Sequence, residues 1–127
     1  MSYKVKGQIL GFENTNNVDI NEVDGLFSTM IDCDNKNISF TMVNPYELRE
    51  YSFDVPSDIK VLLGIKEDSH VNVYNIVVIQ KPLEKSAINF LAPIIVNEDT
   101  KTVGQAVLNS KTHSDLGMAE TIESFRK

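Results

Sequence analysis

One cysteine, Cys33, in 127 residues excludes an intramolecular disulfide. No apolar run is long enough to cross a bilayer and no charged-then-apolar leader opens the chain, so the sequence reads as cytoplasmic, without a membrane partner. Only two histidines are present, His70 and His113. Neither has a second histidine or cysteine at ligand spacing, so no metal site is expected. There is no glycine-rich phosphate loop, no G-x-S-x-G elbow and no H-E-x-x-H helix, and the expectation is a non-enzyme with no cofactor. A small hydrolase whose serines, aspartates and histidine converge only in space is the enzymatic alternative. Basic charge is also scarce, with 12 Lys and Arg against 18 Asp and Glu and a net charge of -6. A phosphate backbone is repelled by such a surface unless lysines gather in one patch, and here they are scattered, so direct nucleic-acid binding is not expected. The alternative of that class is an OB-like barrel that stacks single strands on aromatics.

What the chain does have is 42% hydrophobic content, enough for one core. The opening "YKVKGQI" alternates, with Tyr3, Val5 and Ile9 on one face and Lys4, Lys6 and Gln8 on the other, the period of a half-buried strand. From Asn14 to Asp34 the acids Asp19, Glu22, Asp24, Asp32 and Asp34 crowd together without a lysine or arginine. Val23, Leu26, Phe27 and Met30 fall at helix-like intervals there, yet Gly25 weakens a helix by about 1 kcal/mol, so a helical turn and an irregular strand both fit. The acids read either as a solvated face or as an electrostatic landing patch for a basic partner.

In "ISFTMVNPYELREYSFDVP", alternation through Ile38, Phe40 and Met42 stops at Asn44 and Pro45 and resumes with Tyr51, Phe53 and Val55. This predicts a hairpin with Pro45 to Arg49 as its loop, Tyr46 presenting an aromatic ring there. Beyond Pro56, Ser57 is placed to cap a helical turn starting at Asp58, and Gly64 to end it. "VNVYNIVVIQ" is apolar on both faces at its centre, as a central strand is, and its expected partner is the segment after "KPLEK". By parity that segment splits into an apolar face, Ile88, Phe90, Ala92, Ile94 and Val96, and a mixed face, Asn89, Leu91, Pro93, Ile95 and Asn97. The mixed face suits a strand that meets a partner rather than water, while Pro93 argues for an edge or a bulge that shifts the register beyond it. "VGQAVL" returns as a last strand, with Gly104 allowing close backbone approach and Gln105 capping a buried polar group or facing a ligand. The fold expected is mainly β, a small antiparallel β-barrel with one or two short helical segments.

Three stretches, "TMVNPYELREYSF" at 41–53, "VNVYNIVVIQ" at 71–80 and "INFLAPIIVNEDTKTVGQAVL" at 88–108, together resemble the family of the flagellar assembly factor FliW. The likeness in order and spacing runs from about Gln8 to Leu108. Phe90 stands where the family more often has a leucine, and Tyr46 replaces the usual aromatic after asparagine-proline. The resemblance implies a monomeric, non-enzymatic partner switch. It would bind newly made flagellin, through flagellin's C-terminal region, and in flagellin's absence bind the RNA-binding repressor CsrA and relieve its repression of flagellin translation.

Under that reading, poorly ordered flagellin segments would fold as amphipathic helices on a groove of Asn89, Leu91, Pro93, Ile95 and Asn97, with Leu91 and Ile95 as its apolar floor, Asn89 and Asn97 as its polar rim and Gln105 nearby. Asn44, Pro45 and Tyr46 would form an aromatic wall beside it, and the Asp19 to Asp34 acids would receive CsrA. The barrel domain is expected over 1–109, with 110–127 as a tail. In the tail, Met118, Ile122 and Phe125 follow helix spacing, Ser114 or Asp115 is a possible cap, and Arg126 and Lys127 suit a helix C-terminus. Two roles remain open for it: docking on its own barrel, or occupying a partner groove as a tethered competitor.

Overall fold

In the computed structural model the described residues are 2–11, 13–114, 116–117 and 119–125. Strands β1 (Ser2–Val5), β2 (Asn17–Glu22), β3 (Phe27–Asp32) and β4 (Ser39–Val43) follow in order, then the helix α1 (Ser57–Leu63). After it come β5 (Val71–Val78), β6 (Ala87–Ile88), β7 (Ile94–Asn97), β8 (Thr102–Gln105) and β9 (Glu120–Thr121). Single 3-10 turns occupy Pro45–Glu47, Leu83–Lys85 and Ile122–Phe125. Seven strands close a barrel in the order β1, β2, β3, β4, β5, β7, β8 and back to β1. Every neighbouring pair is antiparallel except β1 with β8, which run parallel. The mainly β barrel expected from the sequence is therefore present, with one parallel seam.

Alternation places Tyr3, Val18, Met30, Met42, Ile94 and Val103 inside the barrel. The acid-rich stretch forms a β-hairpin, β2 with β3, and contains no helical turn. Its tip is held by Asp24, whose Oδ1 accepts the N–H groups of Leu26 and Phe27 at 2.8 Å each. Helix-like spacing of Val23, Leu26, Phe27 and Met30 misleads here because the turn interrupts the strand period. The hairpin expected across Pro45 is also absent. β4 pairs with β3 and β5, and residues 50–56 run extended without a ladder, their Tyr51, Phe53 and Val55 packing into clusters outside the barrel. Pro56, not Ser57, is the residue before α1, and no side chain caps its start. Gly64 ends the helix as expected, in the left-handed region at φ 66°, with the N–H of Ile65 reaching back to the carbonyl of Lys60 at 2.8 Å.

The parity of 88–97 needs correction. Val77 pairs with Ile88, but Tyr74 pairs with Ile94. Two residues of β5, Asn75 and Ile76, thus oppose five, 89–93, a surplus of 5 − 2 = 3 residues. An odd surplus reverses the side on which later residues point. Ile94 and Val96 consequently enter the barrel interior, whereas Ile88 and Phe90 belong to an outer cluster with Val43, Tyr51 and Ile122. The mixed face is not an open groove either: Leu91, Pro93, Ile95 and Asn97 are all buried. Ile95 lies under Leu63, with Phe53, Ile59 and Ile65 around it, so this chain's own helix and extended segment cover the strand.

Asn97 is an internal brace rather than a rim residue. Its Nδ2 donates to the carbonyl of Leu63 at 2.9 Å and its Oδ1 accepts the N–H of Asp99 at 3.0 Å. The hydroxyls of Thr100 and Thr102 reach the same carbonyl, at 3.1 and 3.2 Å, so the end of α1 is tied to the turn between β7 and β8. Gly104 makes this contact possible, since a Cβ there would lie 3.3 Å from Leu63 Cδ2 and 3.4 Å from the Lys6 carbonyl. Asn97→Ala strands the Asp99 N–H and leaves a gap. It is expected to cost about 1–3 kcal/mol in urea unfolding, and an unchanged midpoint would contradict the brace.

The tail packs on the barrel. β9 pairs with β6, Leu116 and Ile122 are buried in the outer cluster, and Ile122 donates its N–H to the carbonyl of Ser86 at 3.1 Å. A 3-10 turn stands where a helix was expected, and the proposed roles of Asp115, Met118, Arg126 and Lys127 lie outside the described residues.

Candidate functional site: an apolar barrel mouth

The surplus residues 89–93 swing out at one end of the barrel and shape two adjoining clefts. The first, about 250 Å³, is the barrel mouth, walled by Leu10, Phe40, Ile76, Val78 and Asn89 with Gln105 across it. The second, about 200 Å³, lies between Leu10, Leu91, Val107 and Ser110. Leu10, Asn89 and Ala92 line both, so the two form one continuous trough. Among the described residues its walls carry no charged side chain, and large apolar groups stand open along it: Leu10 is 63% exposed, Val78 59% and Val107 71%. An exposed apolar surface of this kind is the sort that marks ligand or protein contact sites.

Polar groups fix the rim. Gln105 accepts the N–H of Leu10 through Oε1 at 2.9 Å and donates through Nε2 to the carbonyl of Ala92 at 3.3 Å, spanning the mouth. Asn89 Oδ1 accepts the N–H of Leu91 at 3.0 Å. Behind the trough, the buried Asn75 donates to the Asn89 carbonyl at 2.9 Å and to the Tyr51 hydroxyl at 3.2 Å, and among the described residues its Oδ1 has no partner. Tyr51 in turn donates to the Phe90 carbonyl, and burial pushes its hydroxyl up to about 12.

Of the residues proposed from sequence, Asn89, Leu91 and Gln105 meet at this trough. Pro93, Ile95 and Asn97 lie beneath the surface, so a groove floored by Ile95 and rimmed by Asn97 does not exist. Asn44, Pro45 and Tyr46 stand apart: Asn44 Oδ1 accepts the Tyr46 N–H at 3.1 Å, Pro45 is buried, and the Tyr46 ring, 55% exposed, lies 6.1 Å from the Tyr51 ring and lines neither cleft. The acids do not form one patch. Glu22 and Asp24 sit at the tip of the β2–β3 hairpin, whereas Asp34 lies past its far end: Asp32, the last residue of β3, pairs with Val18, four residues or about 13 Å along the strand from Glu22, and Asp34 follows it. Asp19, midway along β2, accepts the Ser2 hydroxyl at 2.6 Å. Asp32 is buried, and the Thr15 hydroxyl at 2.7 Å and the Asp34 N–H at 2.9 Å hold its carboxyl below the usual range. Leu10, Val78 and Val107 were missed. Their only sequence signal is an apolar residue directly beside another, as in Ile9–Leu10, where a strand's alternation breaks.

The opposite end of the barrel carries the titrating cluster. Glu98 accepts the Tyr3 hydroxyl and Asn72 Nδ2 at 2.7 Å each, with Lys101 at 3.4 Å. Burial pushes Glu98 up, but these donors outweigh it and bring the carboxyl below its ordinary value of 4.5. The stability it contributes is thus full above about pH 4.5 and is lost as pH falls through the lower folded value. Glu98→Gln is expected to flatten the decline of the unfolding midpoint in that acid window, and an unaltered slope would remove Glu98 from the account. His70 donates its N–H to Asp99 at 2.9 Å and sets its ring nitrogen at the same distance, lowering the Asp99 carboxyl without any metal. Among the described residues no three His, Cys, Asp or Glu gather closely enough to hold an ion. Among the described residues no helix is long and apolar enough to cross a membrane.

The class defined by these features is a small closed β-barrel whose one open end is an uncharged apolar trough. Residues 2–118 match the FliW protein family, and the chain belongs to it. Among curated proteins it is 46% identical over 125 residues to "Flagellar assembly factor FliW 2" of Wolinella succinogenes, covering 98% of this chain and 92% of that one. "Flagellar assembly factor FliW 1" of the same organism is 43% identical over 127 residues, at 100% and 99% coverage. "Flagellar assembly factor FliW" of Helicobacter pylori is 42% identical, at 98% and 94% coverage. A crystal structure of the flagellar assembly factor FliW superposes with a TM-score of 0.85 at 18% identity, covering 95% of this chain and 84% of that one, which shows the shared fold.

Proposed function

We propose that this chain is a flagellar assembly factor acting without catalysis as a cytoplasmic partner switch: it binds the C-terminal region of flagellin and, when flagellin is absent, antagonises the translational repressor CsrA. The supporting observation is the uncharged trough of Leu10, Val78, Asn89, Leu91 and Val107 on a member of the FliW family. An amphipathic helix of an unassembled flagellin laid there would bury its apolar stripe against side chains that otherwise face water. Gln105 and Asn89 would set its register. CsrA is drawn by the net charge of -6, with the exposed Glu22 and Asp24 at the hairpin tip as the landing point. Reversing both of those charges is expected to slow CsrA association at low salt, and the effect should shrink as ionic strength rises. Equal rates in all salts would move the landing point elsewhere.

The test of the whole reading is calorimetric titration with CsrA, first alone and then with a saturating flagellin C-terminal peptide already bound. Heat with CsrA that the peptide abolishes supports the switch and its negative coupling. A folded sample that binds neither overturns it.

A further inference from the structure

We infer that the backbone edge of residues 105–109 is a strand-addition site, which takes an extended, uncharged peptide segment of a partner protein with apolar residues at alternate positions. The inference concerns the backbone edge beside the trough, with which it shares Leu10 and Val107, and it does not rest on flagellin being the trough's ligand.

The direction of each backbone group follows from the register. Ala106 donates its N–H to the carbonyl of Pro93 at 3.1 Å and Leu108 donates to that of Leu91 at 2.7 Å, continuing the β7–β8 ladder past the end of β8. Backbone groups alternate in direction along a strand, so those of Val103, Gln105 and Val107 point to the other side. Val103 faces β1 there, its carbonyl accepting the N–H of Lys6 at 2.9 Å. Beyond Lys6 the first strand leaves: Gly7, at φ 73°, turns the chain across the mouth. Val107 is left facing outward. Among the described residues no hydrogen bond reaches its N–H or its carbonyl.

Exposed strand edges are ordinarily defended by a lysine, a proline or a covering element. The segment Gln105–Asn109 reads "QAVLN" and carries no charge and no proline. Instead it is flanked by open apolar side chains on both sides. Leu10 and Val107 stand on the side of the mouth, and Leu62, 42% exposed, lies against Gly7 on the side of the helix, where a Cβ would come within 3.2 Å of it. An added strand would point alternate side chains to these two sides: those over the mouth meet two open apolar groups, Leu10 and Val107, and are apolar, while those over the helix meet the single, less exposed Leu62 and are not required to be. The absence of charge along both cleft walls fixes its neutrality.

The test pans a phage-displayed library of random peptides against the folded, full chain. Selected peptides should alternate apolar and β-branched residues with small polar ones. Val107→Pro removes the outward N–H, which the fold does not use, and is expected to weaken a selected peptide by about tenfold or more. On the unaltered protein, N-methylation of the peptide at alternate residues should do the same, while methylation at the intervening residues should not. Selection of no peptide, equal binding by Val107→Pro, or indifference to the methylation phase would each overturn the inference. Where Val107→Pro fails to unfold cooperatively, the methylation scan alone decides.

Discussion

Replacing Leu10 and Val78 together by aspartate is expected to weaken binding of a flagellin C-terminal peptide by about a hundredfold or more, while the unfolding midpoint barely moves. The two halves of this result have different causes. Both side chains are mostly exposed in the free protein, at 63% and 59%, and neither belongs to a buried cluster, so changing them disturbs little packing. Substitutions at such positions typically fall within about 0.5 kcal/mol of the original stability. In a complex the same atoms would be covered, and covering a leucine or valine is worth about 1.5–3 kcal/mol each. Loss of two such contributions exceeds the roughly 2.7 kcal/mol that a hundredfold represents. Aspartate adds desolvation of a carboxylate against an uncharged wall. Calorimetry and urea unfolding on one preparation separate the two effects. Peptide affinity that survives both substitutions would place flagellin outside the mouth.

Only part of this arrangement was legible beforehand. Alternation in Tyr3 and Val5 and along β5 identifies strands because the pleat imposes a period of two whatever the tertiary setting. The helix end at Gly64 is legible for a similarly local reason, the left-handed backbone that glycine adopts without strain. Segment 50–56 failed because alternation also describes an extended chain whose odd residues, Tyr51, Phe53 and Val55, drop into a core without pairing to any strand. The site failed at Asn89 to Asn97 through arithmetic. Pro93 marked a bulge, but its surplus of three residues depends on how β5 pairs on either side, a non-local fact. Once the register reverses, Ile95 and Asn97 pass under α1, and the Asn97 amide that looked like part of a recognition face becomes an internal brace. Of the two roles open for Gln105, capping a buried polar group is the one seen, since its Nε2 reaches the backbone carbonyl of Ala92. Leu10 and Val107 had no comparable signal, since an exposed leucine or valine is unremarkable until the barrel mouth gathers several of them.

Phe90→Ala is expected to be the most destabilising single change outside the barrel interior, at about 3–5 kcal/mol. The ring is fully buried and is the largest such side chain among the described residues. It meets Tyr51 edge-on at 5.5 Å and Phe125 at 5.6 Å, while the Arg49 guanidinium stands 5.2 Å over its face and pairs with Glu120 at 3.3 Å. Its backbone is equally committed, the N–H donating to Gly117 at 2.9 Å and the carbonyl accepting from Tyr51. Truncation therefore removes dispersion, two aromatic contacts and one cation–π contact at once. The midpoint of thermal unfolding should fall by on the order of 10–20 °C. The loss should also have a location. Phe125 and Glu120 both lie in the tail, so the Ile122 N–H, bonded to Ser86, should exchange with solvent much faster in Phe90→Ala, while the Met30 amide inside the barrel tracks only global unfolding. Phe90→Leu, which keeps most of the volume, should restore tail protection in larger part than it restores the aromatic contacts. Equal acceleration at Ile122 and Met30 would mean that the tail and barrel open as one unit, and that Phe90 holds the whole molecule rather than the flank on which the trough's outer wall, Leu91, is built.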